Sequence, residues 1–113
     1  MKIVINSTYG GFSLSRKAVL YARKISKDSN WGGACIKGDI NKKNGWIVGS
    51  DFGFIKKIER NDFILVKVVE DLGDEANGFA SNLKIIIIPD DIEWEIEEFD
   101  GLEWVSEKHR IWS

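Results

Sequence analysis

Cysteine, histidine and proline are almost absent: Cys35, His109 and Pro89 are single occurrences in 113 residues. One cysteine cannot close an internal disulfide. One thiol and one imidazole also fall short of the soft ligands that a zinc site needs, so a disulfide scaffold and a zinc module are both excluded. Apolar runs are short. Even the isoleucine run Ile85 to Ile88 spans four residues, against about 20 for a bilayer span. Met1-Lys2-Ile3-Val4 lacks the charged, apolar and small-residue sections of a secretory signal, so a cytoplasmic protein with no membrane partner is expected. No dense basic tract occurs and the formal charge is -2, which argues against a duplex nucleic-acid partner.

What is present suffices for one core. With 43% apolar and 30% charged residues, residues 1–113 are expected to form a single domain. It would bury roughly 65% of the surface its unfolded chain exposes, with no metal or cofactor needed to fold. The charge is unevenly distributed. Met1 to Lys57 holds eleven Lys and Arg against three acids, whereas Ile58 to Ser113 holds five against fifteen. Such a split either neutralises itself within one fold, or offers a basic surface to a phosphorylated ligand, or sets the basic half of one subunit against the acidic half of another.

Lys2 to Thr8 reads as a strand, followed by the turn Tyr9-Gly10-Gly11-Phe12. Ser15 has the position of a helix N-cap, and Leu14 and Val19 have the spacing of a hydrophobic staple, which predicts a helix over Arg16 to Ile25. Ser26 to Gly53 is turn-rich, with short strands predicted at Ala34 to Lys37 and Trp46 to Gly49. Asp62 is a second N-cap. It opens a helix over Phe63 to Ala76 that Asn77-Gly78 stops, although the β-branched run Phe63 to Val69 also fits a buried strand. Because this segment is apolar on nearly every side, it is expected to lie inside or against another subunit. Leu83 to Ile88 reads as a strand covered on both faces, and Ile92 to Glu97 as one with a buried and a wet face. Asp100-Gly101 predicts a hairpin, with Leu102, Trp104 and Ser106 continuing the buried alternation. The fold expected is an α+β domain with two helices packed on a largely antiparallel sheet.

Strand, double glycine and helix N-terminus can present amides to an anion, with Tyr9 or Phe12 placed to stack on a base, yet the same residues also make a plain tight turn. Arg110 and Arg60 are candidate phosphate grips, and a charged tail and a surface salt bridge are the plainer alternatives. The acids around Glu95 read as solvated. Cys35 and His109 have no neighbours that suggest nucleophilic catalysis, so an enzyme is not expected.

Several segments together resemble a known family: Lys2-Ile3-Val4-Ile5-Asn6 with Tyr9-Gly10-Gly11-Phe12-Ser13-Leu14-Ser15, Arg60-Asn61-Asp62, Val68-Val69-Glu70-Asp71-Leu72-Gly73 with Ala76-Asn77-Gly78, and Ile96 to Val105 with Glu107-Lys108-His109-Arg110. The string resembles the phage-encoded Thoeris anti-defence sponges. The resemblance implies a non-enzymatic protein of the infected bacterial cytoplasm that binds a cyclic ADP-ribose-type immune signal and holds it intact. It further implies a homo-oligomer, a dimer or higher, and a separate site for cyclic trinucleotides in some members. By the same resemblance Arg60 and Arg110 are phosphate ligands, and Asn77, Asp90 and Asp91 are ribose or base contacts. Where the family usually has Asp-Pro, this chain has Asp62-Phe63. A small phage protein that inhibits a host protein directly, with its tryptophans and its charge asymmetry as the binding surface, is the alternative from a different class.

Overall fold

The computed structural model describes residues 1–32, 36–37, 46–48, 58–78 and 81–108. Cys35, His109 and Arg110 lie outside the described residues. The elements are β1 (Lys2–Asn6), β2 (Ser13–Leu14), α1 (Arg16–Ser26), β3 (Ile36–Lys37), β4 (Trp46–Val48), α2 (Phe63–Leu72), β5 (Leu83–Ile87), β6 (Trp94–Phe99) and β7 (Leu102–Glu107). This is a small α+β domain in which every strand pairing is antiparallel.

Both helices begin where their caps place them. Ser15 Oγ accepts the Ala18 amide at 3.0 Å and the Asp62 carboxylate accepts the Leu65 amide at 3.0 Å, each satisfying a first-turn donor. Leu14 and Val19 are both fully buried, as a staple requires. α2 stops earlier than expected. Gly73 takes φ 56°, which ends the α-helix at Leu72, and one 3-10 turn, Gly73–Ala76, carries the chain to Asn77. The core forms where α1 and α2 meet β1, around Val4, Leu14, Val19, Leu65 and Val68. Among the described residues no helix is long and apolar enough to cross a membrane.

The strands do not join one sheet, as expected, but three small ones: β1-β5, β2-β4-β3 and the hairpin β6-β7. The reason lies at the outer edge of β1. Its Val4 amide bonds the Arg60 carbonyl at 2.8 Å and its Asn6 amide bonds Glu103 Oε1 at 2.8 Å, so a side chain takes a donor that a further strand would have used. The isoleucine run is not covered on both faces, since Ile87 is 74% exposed. In the hairpin, Phe99 pairs with Leu102 across the two-residue turn, so Trp104 lies opposite Glu97, and Val105 opposite Ile96. Directly opposed residues share a face, so Leu102, Trp104 and Ser106 lie on the face away from Trp94 and Ile96, contrary to expectation.

Candidate functional site

Arg60 is the centre of the described site. It sits just before the Asp62 cap, and its guanidinium grips the Glu103 carboxylate with two parallel bonds, Nη1 to Oε1 at 2.6 Å and Nη2 to Oε2 at 2.9 Å. Both side chains are more than nine-tenths buried. The Arg60 Cζ lies 3.8 Å from the centroid of the Phe12 ring, which adds a cation–π contact in a desolvated setting. Glu103 also accepts the Asn6 amide. Arg60 therefore connects the turn after β1, the start of α2 and the hairpin. Its Nε has no partner among the described residues.

The Tyr9-Gly10-Gly11-Phe12 turn lies against this cluster. Gly11 has φ 87°, as expected of a glycine-dependent turn. The hairpin tip, where Asp100 and Gly101 have φ 50° and 91°, packs directly on it. A Cβ on Gly101 would lie 2.7 Å from the Tyr9 carbonyl oxygen and 2.8 Å from Gly11 Cα, so only glycine fits there. Asn6 holds the tip in place, donating from Nδ2 to the Gly101 carbonyl at 2.7 Å and to the Thr8 carbonyl at 2.7 Å. Phe12 is buried while Tyr9 is 66% exposed. An aromatic ring thus stands in solvent on a turn that is itself fixed.

The structure brings Tyr9, Gly10, Gly11, Phe12 and Arg60 to one place, although Arg60 is 48 positions beyond Phe12 in the sequence. Asn77, Asp90 and Asp91 have other roles, and Arg110 lies outside the described residues. The Asn77 carboxamide oxygen accepts the Leu83 amide at 2.7 Å, a role in chain connection. Asp90 pairs with the N-terminal ammonium at 2.5 Å, and Asp91 is exposed beside it. The Gly10 amide has only a long contact to Thr8 Oγ1, 3.4 Å. The N-terminus of α1 is separated from the glycines by β2, and its Ala18 amide is taken by Ser15 Oγ. The charge of Arg60 is already met by Glu103 and both side chains are buried, so the bidentate Nη face that would grip a phosphate is taken unless that pair opens.

Sequence reasoning did not single out Glu103 or Asn6. A carboxylate between Leu102 and Trp104 and an amide ending an apolar strand were the available signals. Away from this cluster, a groove of about 250 Å³ is lined by Met1, Lys2, Asn61, Phe63, Val66, Lys67 and Glu70. Among the described residues no group of three or more His, Cys, Asp or Glu is placed to hold a metal ion. No protein-family model, no curated protein and no solved structure matches the chain.

Proposed function

We propose that the chain captures a cyclic ADP-ribose-type nucleotide and holds it without cleavage, acting as an anti-defence sponge of phage origin in the cytoplasm of the infected bacterium and assembling as a homo-oligomer. One observation carries the reading. Tyr9 is an exposed aromatic on a turn immobilised by Phe12, Arg60 and Gly101, and such a ring gives a planar base a stacking surface at little cost in conformational entropy. Arg60 supports that turn and is tied up by Glu103, so the anionic part of the ligand falls to Arg110 and to the Gly10 amide. Asn77, Asp90 and Asp91 take no part in this arrangement.

Calorimetric titration with the cyclic ADP-ribose isomers tests the reading. The wild type binds at least one isomer, and Tyr9→Ala loses roughly 5- to 150-fold in affinity, since base–aromatic stacking is worth about 1–3 kcal/mol per base. Equal affinity of the two removes the stacking surface. No binding by the wild type removes the nucleotide reading and favours direct inhibition of a host protein, for which exposed Phe63, Ile87, Phe99 and Trp104 supply apolar surface.

A further inference from the structure

Among the described residues the hairpin β6-β7 exchanges no ladder bonds with the other strands, yet its tip is anchored at three points. Gly101 abuts the Tyr9–Gly11 backbone, the Gly101 carbonyl accepts from Asn6, and two residues further on Glu103 is locked to Arg60. Nothing in the stability of a two-residue hairpin turn requires contact with a distant loop. A glycine is favoured at position 101 by its φ of 91° alone, so the close approach to Tyr9 and Gly11 is a second, separate demand on the same residue.

We infer that Gly101 is a positioning residue for the ligand: the hairpin tip sets the height and tilt of the Tyr9 turn, and through it the stacking ring. The inference rests on the nucleotide reading of Tyr9. A methyl group at position 101 must displace the Tyr9 carbonyl or the Gly11 backbone, because both are main-chain atoms with no rotamer to change. Gly73 provides the matched control. It also has a positive φ, 56°, but a Cβ there meets nothing within 4 Å. Gly73→Ala therefore carries the strain of a positive φ without touching the turn.

The experiment is a double-mutant cycle on the full chain, with calorimetric titration of the cyclic ADP-ribose isomer that the wild type binds. Gly101→Ala is expected to lose roughly tenfold or more in affinity, within the range of Tyr9→Ala. Gly73→Ala stays within about threefold, a change of under 1 kcal/mol. The double variant Tyr9→Ala/Gly101→Ala is expected to bind no worse than Tyr9→Ala alone, because Gly101 acts through Tyr9. Losses that add, or an unchanged Gly101→Ala, overturn the inference while the nucleotide reading stands; no binding by the wild type overturns both. A readout without ligand covers a poorly folded variant. In the wild type a nuclear Overhauser effect connects the Gly101 α protons to the Gly11 amide, and its absence contradicts the contact itself.

Discussion

Arg60 and Glu103 decide most at the scale of single residues. Each is a buried charge that faces the other as its counter-charge, so removing one leaves the partner's charge desolvated and without its opposite. Arg60→Ala and Glu103→Ala are each expected to lose about 3–5 kcal/mol of stability in chemical denaturation, whereas the double replacement Arg60→Met/Glu103→Leu loses much less. A double variant whose loss equals the sum of the two single losses would show that the pair is not coupled. The sequence made Arg60 noticeable and hid its partner. An arginine near a sign change in charge announces itself, but the carboxylate that meets it is 43 residues later on a strand whose face depends on turn geometry. Tyr21 and Asp71 form a smaller, exposed pair at 2.5 Å. The Tyr21 hydroxyl, and after it Lys67, holds the Asp71 carboxyl below its ordinary 3.8, against some desolvation. That contribution is present above the ordinary carboxylate value and is lost as pH falls through the depressed one. The same bond raises Tyr21 above its ordinary 10.0, so its contribution holds below that value and fades at higher pH. Tyr21→Phe should move the Asp71 titration upward in carbon-detected NMR; no movement would exclude the hydroxyl as the cause.

Among the elements, helices were the most legible. A cap and a staple are local chemistry: Ser15 and Asp62 do what their positions announce, and Ser15 also donates to the Glu75 carbonyl at 2.6 Å, fixing the start of α1 to the turn after α2. Ser15→Ala is accordingly expected to cost about 1 kcal/mol for the lost cap, and somewhat more for the bond to Glu75, in thermal melts. A loss below about 0.3 kcal/mol would mean that water replaces both bonds. Strands were legible as strands and misleading in their partners. Alternation along β7 could not reveal which face it shares with β6, because a two-residue turn pairs Phe99 with Leu102 and so pairs even-numbered with odd-numbered positions throughout the hairpin. Nor could the isoleucine run of β5 say that, among the described residues, β1 would be its one paired strand. The hairpin register was already implied by the two-residue Asp100-Gly101 turn, which fixes the pairing that alternation alone does not, whereas the cover of β5 is set by long-range contacts that no local pattern encodes. The candidate site divides the same way: its turn was readable from two glycines between aromatics, while the hairpin tip that fixes it was not.

For the whole molecule, the opposite charges of the two halves partly meet inside one chain. Lys2 pairs with Glu70, Lys17 with Glu75, and the N-terminal ammonium with Asp90, each joining the basic half to the acidic one. These exposed pairs contribute little each. The hairpin acids Glu93, Glu95, Glu97 and Glu98 are exposed, as are the apolar Phe63, Ile87, Phe99 and Trp104. In the proposed homo-oligomer these apolar side chains are the ones available to be covered, and light scattering at micromolar concentration should report a mass of at least two chains; a monomer would contradict the assembly. The account as a whole rests on capture without cleavage. The direct measurement incubates the protein with a cyclic ADP-ribose isomer, removes free nucleotide, denatures the protein by heat and weighs what is released by mass spectrometry. Release of the unchanged cyclic nucleotide, in an amount proportional to protein, is the predicted result. Release of a linear product, or of no nucleotide at all, would contradict it.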